Sequence, residues 1–480
     1  MNSKSSNRDI DSHQGPNQLG AEDRLSSDSF LLTELSQRFR FWIPAPLPTG
    51  VSVSISSSRL GQKLESHEAW FDALRTIAVQ IQCEHKFLIS SPGITTDPFV
   101  SRIAELFEIS IVVFKPIPRD ADADWFQNTS DQANNQKQSL FRTVWYRQTE
   151  QTESSKKKLN VNDLLISIAR VAVLLSVRKS GNIFAAANRR LESQSVLVGK
   201  KTAKRADNST DTEHVATRLL IDRKLTSKNV EAGLLEKGAS GWWLYDSNSG
   251  SGSPEQDDSP VSAVANPRLP SPALNEPVIL DLEEVDSKQF VLHWTRRRVG
   301  PWPDQTQSSY LDDLIFNESR REHGKFSALC RILASRKILS TNNLTRDHRT
   351  VVCFSDIPLE QLNERRIFRP HLSRWDFEPY GLAIDRDLLR GLGARPVVYG
   401  NESTWDSLPP SDRPFFQLET SASEKIDWKL EREWRMVGDL RLELIPRDQA
   451  LVFVASDAEA NIIADLCHWP IVVMGKADQN

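Results

Sequence analysis

The sequence predicts an α/β Rossmann-like N-terminal domain joined by a flexible linker to an α+β C-terminal domain. Three observations carry that expectation. Strand-like and helix-like segments alternate through residues 35–245, which argues for a parallel sheet covered by helices. A Gly/Ser/Pro-rich run, "DSNSGSGSPEQDDSPVSAVANPRLPSPALNEP", breaks every apolar period at 246–277. Beyond it the strands are short and do not follow a βαβ series.

In order along the chain, residues 1–34 are polar and rich in Ser, Asp and Asn, and read as a disordered tail. The tail has no apolar core and so does not read as a secretory signal. "VSVSIS" (51–56) is a β-branched, alternating strand. Trp70, Leu74 and Ile77 follow at helical spacing. "KFLIS" (86–90) is the next strand. Phe99, Ile103, Leu106 and Phe107 mark a second helix, and "SIVVF" (110–114) a third strand. Residues 120–160 read as a polar, loop-rich insertion. "LLISIARVAVLLSV" contains Arg170 and is too short for a bilayer span, which needs about 20 residues. It reads as a helix end followed by a buried strand. "SVLVG" (195–199) is expected to add another strand. The linker is taken as 246–279 and the second domain as 280–480.

In the second domain, "QFVLHWT" (289–295), "RTVVCFSDIP", "ARPVVYG" and "ALVFVAS" read as strands. "GKFSALCRILASRKI" reads as a helix, and "YGLAIDRDLL" as a strand running into one. "IDWKLEREWR" is open to a helix or a strand. In the strand reading Trp434 and Met436 line one face, while Glu431, Glu433 and Arg435 line the other.

Bulk chemistry narrows the function classes. The 480 residues are 39% hydrophobic and 26% charged with a formal net charge of −4. The whole chain therefore does not advertise a nucleic-acid or membrane partner. Four cysteines without CxxC spacing offer neither a zinc site nor a disulfide framework, so no metal is expected and a cytoplasmic setting fits. A nuclease has no paired acidic metal motif to stand on. From residue 290 onward there are 21 arginines against 5 lysines, concentrated at 296–298 and 364–375 and interleaved with Trp294, Trp302, Phe368 and Trp375. That mixture suits either a solvated surface or a phosphate-rich ligand such as a dinucleotide or nucleic acid.

Two loops in the first domain carry anion-binding chemistry. "SSSRLG" gives Ser58, Arg59 and Gly61. "SPGITTDP" gives Gly93, Thr95 and Thr96 just before a helix N-terminus, where unpaired N–H groups favour negative charge. The same residues also suit plain turns and caps.

"ISSPGITTDPFVSRIAELFEISIVVF", with the later "VAVLLSVRKSGNIFAAANRRLESQSVLVG", resembles the Rossmann-like domains of the DprA and LOG (SLOG) superfamily. That resemblance implies nucleotide or sugar-phosphate binding. The LOG-type Pro-Gly-Gly-x-Gly-Thr signature is replaced by "SPGITTD". In the second domain, "VVCFSDIPL", "YGLAIDRDLLRGLGARPVVYG" and "IDWKLEREWR" resemble, in that order, the AbiGi-type abortive-infection proteins of phage resistance. The layout is also similar, more faintly, to DarT-like ADP-ribosyltransferases. The second resemblance implies a toxin-like effector that consumes NAD as substrate. Glu433, with Glu431 beside it, would be the catalytic carboxylate. His293 and Thr295 would hold a ribose, arginines of 296–298 (Arg297 among them) or of 365–369 would meet phosphate, Arg435 would also belong to the cofactor site, and Phe354 or Tyr399 would stack on the leaving ring. Such chemistry passes through an oxocarbenium-like state and needs His293 and Glu433 in one cleft. The alternative is a non-catalytic protein that binds nucleotide or nucleic acid, with a protein acceptor or partner also open and no membrane contact.

Overall fold

The computed structural model describes residues 39–61, 63–84, 86–135, 139–148, 160–202, 215–222, 224–242, 278–318, 321–342, 345–369, 374–419 and 432–475. The tail at 1–34, nearly all of the linker and Glu431 lie outside them. Contacts divide the chain into two compact units: Met1–Glu255 with Leu311–Glu318, and Gln256–Tyr310 with Ser319–Asn480.

The first unit is an eight-stranded sheet. Its strands are β1 (Phe39–Trp42), β2 (Ser52–Ser57), β3 (Phe87–Ser90), β4 (Ile111–Pro116), β5 (Phe141–Gln148), β6 (Val171–Ser176), β7 (Ala216–Leu220) and β8 (Ser240–Trp242), in the order β1-β5-β4-β3-β2-β6-β7-β8. Only β1 runs antiparallel to its neighbour. Helices alternate with these strands: α1 (Glu68–Cys83), α2 (Asp97–Leu106), α3 (Ala123–Asn135), α4 (Val161–Ile168), α5 (Asn182–Thr202) and α6 (Lys228–Glu236). The helical spacing of Trp70, Leu74 and Ile77 buries all three on one face of α1. Ala172, Leu174 and Leu219 of the sheet pack with Ala186, Ala187 and Leu191 of α5 and Val230 and Leu234 of α6. Most of β4 and nearly all of β6 are apolar on both faces, as a doubly covered parallel sheet favours, whereas β2 alternates Val53 and Ile55 with the buried Ser54 and Ser56.

Two expectations are corrected. The 120–160 stretch is not simply a polar insertion: it supplies α3 and β5, while residues 149–159 lie outside the described residues. "SVLVG" is the last part of α5 rather than a strand. Two β-branched valines in this stretch could not outweigh thirteen helical residues already propagating ahead of it.

The second unit contains another eight-stranded sheet. Its strands are β9 (Ile279–Asp281), β10 (Phe290–Trp294), β11 (Val351–Ser355), β12 (Gly381–Asp385), β13 (Arg395–Pro396), β14 (Glu433–Val437), β15 (Ala450–Val454) and β16 (Ile471–Val473). They lie in the order β13-β14-β11-β10-β12-β15-β16-β9, mostly antiparallel, with β15, β16 and β9 parallel. One face packs Val291, Phe354, Leu382, Trp434 and Met436 against Leu329 and Leu333 of helix Lys325–Ser335. The other packs Phe290, Leu292, Trp294 and Phe453. The middle of the sheet is tight. A Cβ at Gly381 would lie 2.2 Å from the His293 carbonyl oxygen and 2.7 Å from Trp294 Cα, so β10 and β12 approach only because this position has no side chain.

Candidate functional site

In the first unit the strand order reverses beside β2. The chain steps from β2 to β3, β4 and β5 on one side, then returns to place β6 on the other. Helices leave in opposite senses at such a point and open a crevice at the carboxyl ends of the two strands. Here β2 ends in Ser57-Ser58-Arg59 and β6 ends in Ser176-Val177-Arg178.

Hydrogen bonds knit this mouth together. Ser58 N donates to Ser176 O at 2.8 Å. Arg178 N donates to Ser58 Oγ at 3.0 Å, and its guanidinium donates to Arg59 O at 2.8 Å. Gly181 N donates to Arg178 O at 3.0 Å, closing the turn that opens the 21-residue α5. Ser58 is buried, whereas Arg59, Gly61, Arg178, Lys179, Ser180 and Asn182 are exposed. From Val171 to Leu191 the sequence carries no acidic residue. Three cations therefore share the rim with a helix N-terminus and no acidic residue on the β6–α5 side. One residue inside, the buried Ser56 hydroxyl has no hydrogen-bond partner among the described residues.

The neighbouring β3 loop differs. Gly93, exposed at φ +90°, makes the turn that its left-handed backbone requires. Thr95 is half-buried. Thr96 is 1% exposed and spends its hydroxyl on Ile55 O at 2.8 Å, tying α2 to β2. Asp97 already sits in the first turn of α2 and accepts from Ser90 Oγ at 2.7 Å. A carboxylate at that end satisfies the helix dipole and repels a second anion. Of the two loops read from the sequence, "SSSRLG" lies at the strand-order reversal, facing the β6–α5 turn. Sequence reading missed Arg178 and Lys179. The strand order that brings them to β2 is non-local, although the acid-free run around "VRKSGN" was visible.

A shallow pocket with little enclosed space is lined by Val53, Ile77, Ile81, Lys86, Val171 and Arg218 among others, toward the amino ends of the strands. It is not at the mouth, and Lys86 is ion-paired with Glu84.

In the second unit the residues read as one NAD cleft divide between two faces. Residues paired directly across antiparallel strands share a face, and successive residues alternate. Leu292 pairs with Ser355, Ser355 with Glu433, and Cys353 with Arg435. His293 pairs with Leu382, and Phe354 with Trp434. Glu433 and Arg435 therefore project on the Leu292 side. His293 projects on the opposite side, with the Phe354 ring 5.8 Å from its own. The expectation that His293 and Glu433 share one cleft is corrected by this register.

The other members have local duties. Thr295 is 3% exposed, and its hydroxyl donates to Lys325 O at 2.8 Å. Phe354 is a core residue, 2% exposed, with no face open to a leaving ring. Arg297 and Tyr399 are half-buried, and Tyr399 lies close enough to Arg435 to favour its charge. Burial works against the Arg435 charge, but the Glu433 carboxylate overrides it and holds the guanidinium above its usual value. Burial, then Glu433, pushes the Cys353 thiol well up, so it is no nucleophile at neutral pH.

Burial also lowers the His293 pKa, with Arg296 adding to the effect; the bond between Nδ1 and Cys353 O at 2.9 Å opposes it. The folded protein thus prefers the neutral ring, and the unfolded chain binds the proton more readily. That stability is complete above pH 6.5 and is lost as pH falls below it toward the depressed folded value. His293→Gln should flatten the decline in urea midpoint between about pH 7 and pH 5; an unchanged slope would assign the decline to other groups.

No family model matches the chain, and no curated protein does. Among the solved structures that match are two of DNA processing protein A. The Helicobacter pylori protein, described for its single-stranded DNA binding mode, is 15% identical over 40% of this chain and 75% of its own, with a TM-score of 0.26. The Streptococcus pneumoniae protein is 12% identical over 40% of this chain and 58% of its own, with a TM-score of 0.24. The strand order itself, rather than this likeness, defines the α/β class of the first unit. The abortive-infection and ADP-ribosyltransferase resemblances gain no family model. No helix among the described residues is long and apolar enough to cross a membrane.

Proposed function

We propose that the chain is a nucleotide-binding protein whose first unit takes a phosphate-bearing ligand at the β2–β6 mouth. One observation carries this reading: the strand-order reversal sets the acid-free Arg178–Asn182 turn, opening α5, against Ser58–Gly61. Backbone N–H groups at the helix start and the rim cations suit a phosphate, and the exposed loops leave room for a nucleoside beyond it. An NAD-consuming reaction in the second unit, with a role in phage defence, required Glu433 and His293 to meet. No observation of that unit favours it.

Calorimetric titration of the full chain with ATP, NAD and inorganic phosphate tests the reading. We expect at least one nucleotide to bind, and Arg59→Glu/Lys179→Glu to weaken it by about tenfold or more, since a hydrogen bond to a charged group contributes about 1.5–3 kcal/mol. Both positions are exposed, so the fold is unaffected. Binding of equal strength by wild type and variant, or heats of dilution alone for every titrant, would reject it.

A further inference from the structure

A two-stranded arm in the second unit carries an observation independent of that mouth. Its strands, Ile367–Arg369 and Arg374–Asp376, pair antiparallel in three rungs: Ile367 with Asp376, Phe368 with Trp375, and Arg369 with Arg374. The middle rung places two aromatic rings side by side, centroids 5.4 Å apart. Neither is buried: Phe368 is 44% exposed and Trp375 39%, beside Ile367 at 44%. An exposed aromatic pair on a short, solvated arm contributes little to a core and invites a partner.

The charges around the pair identify that partner. Arg366 lies over the Trp375 ring, its Cζ 4.6 Å from the centroid, and pairs with Glu378 at 3.2 Å. Arg296 lies over Trp294 at 3.8 Å and reaches Asp376 at 3.9 Å. The two arginine clusters singled out in the sequence, 296–298 and 364–375, therefore meet here through Arg296 and Arg366. Residues 296–298 and 364–378 hold seven arginines against three carboxylates, Glu364, Asp376 and Glu378. Asp376 and Glu378 are 2% and 7% exposed, so they orient Arg296 and Arg366 from beneath and add little negative charge to the outer surface. The outward face combines the exposed Phe368 and Trp375 with the half-buried Arg296 and Arg366, and Glu364 is the one exposed carboxylate of the three.

We propose that this arm is a stacking platform for single-stranded nucleic acid. Unpaired bases would lie on Phe368 and Trp375, with the guanidiniums of Arg296 and Arg366 meeting the backbone phosphates. Base–aromatic stacking needs an open ring face, which a duplex keeps inside its own stack. Phosphate neutralisation makes such binding salt-dependent. A protein partner would need a larger contiguous apolar area than these few exposed side chains offer.

The test is fluorescence anisotropy of the full chain with end-labelled oligo(dT) of about 15 nucleotides and a duplex of the same length. We expect the single strand to bind, to weaken steeply from about 50 to about 200 mM salt, and to outcompete the duplex. Phe368→Ala/Trp375→Ala should bind about 10- to 100-fold more weakly, and Trp375→Phe should recover most of the loss. Photocrosslinking of wild type to a bromouracil-containing strand reads the same contact without any substitution, with adducts expected on the arm. The proposal fails if the strand does not bind at low salt, if the double variant binds as wild type, if duplex binds equally well, or if adducts fall only elsewhere. It also fails if wild type self-associates through the arm, the double variant is monomeric, and neither holds the strand.

Discussion

Replacing Arg190 by leucine lowers the unfolding free energy of the first unit by about 4 kcal/mol. The reason lies in what the guanidinium touches. Arg190 is fully buried in α5. Its Nε donates to Thr217 Oγ1 at 3.0 Å. One terminal nitrogen reaches Ile166 O at 2.5 Å and Ala169 O at 2.7 Å, and the other reaches Arg170 O at 2.9 Å and Ala216 O at 3.1 Å. Ile166 and Ala169 are at the carboxyl end of α4, where helix carbonyls lack partners of their own and the dipole is negative. Arg190 therefore caps α4 from a neighbouring helix and fastens it to the amino ends of β6 and β7. Every oxygen named is neutral, so burial pushes its pKa down to about 10, and the group still carries its charge at neutral pH.

Replacing both members of a buried ion pair by apolar residues is often neutral, but that precedent does not apply here. The carbonyls cannot be mutated away. Leucine leaves several of them buried without donors, at about 1–3 kcal/mol each, partly offset by relaxation. Lysine keeps the charge yet cannot fork toward five oxygens, so Arg190→Lys should lose about half as much. Urea melts followed by far-ultraviolet circular dichroism, with hydrogen exchange at β6 and β7, give the answer. A leucine variant within about 1 kcal/mol of wild type would mean that the cap is replaceable by water.

Arg190 also shows where sequence reading stops. "ANRRLE" sets two arginines side by side, and nothing local tells the buried one from the half-exposed Arg189, which pairs with the buried Asp163. Periodicity reads well what repeats: the α1 stripe, the "VAVLLSV" strand and the alternation of "FVLHW" all emerge where their patterns place them. Register between distant strands leaves no such trace. Knowing that Glu433 and His293 both lie on strands does not reveal that β11 stands between them, and one residue of shift exchanges the faces. The β2–β6 mouth was half legible for the same reason. "SSSRLG" announces itself as a turn with a cation, but its neighbour depends on where a strand over a hundred residues later is inserted. The aromatic–arginine mixture of 364–375 was visible as composition; only the pairing of Phe368 with Trp375 turns it into a surface.

Glu433→Ala should cost the second unit about 3 kcal/mol, and its character separates two accounts of the same carboxylate. In the structure Glu433 accepts from Arg435 Nε at 2.9 Å and from its terminal nitrogen at 3.2 Å. The Arg435 side chain is 1% exposed and that of Glu433 15%. The remaining Arg435 donors go to Pro414 O at 3.2 Å, Phe416 O at 2.9 Å and Gln417 Oε1 at 2.7 Å, all neutral. Alanine removes the only acid among these partners and leaves a desolvated cation. The neutral oxygens soften the penalty, which holds it near the lower end of the range for breaking a buried pair. Glu433→Gln keeps an acceptor in place and should cost less than alanine. Arg435→Met should cost a comparable amount for a different reason, since the carbonyls of Pro414 and Phe416 lose their donor. Because the two residues act as one unit, the double variant should cost clearly less than the sum of the singles. A catalytic carboxylate behaves otherwise. Active sites hold such groups under strain, and removing one tends to leave stability unchanged or improved while activity falls. Stability and NAD loss measured together on wild type, Glu433→Gln and Glu433→Ala therefore decide the matter. Lower melting temperature with no NAD turnover in any of the three fixes Glu433 as the counterion of Arg435. NAD turnover by wild type that vanishes in a fully stable glutamine variant would return the carboxylate to chemistry, on the Leu292 face of the sheet and without His293.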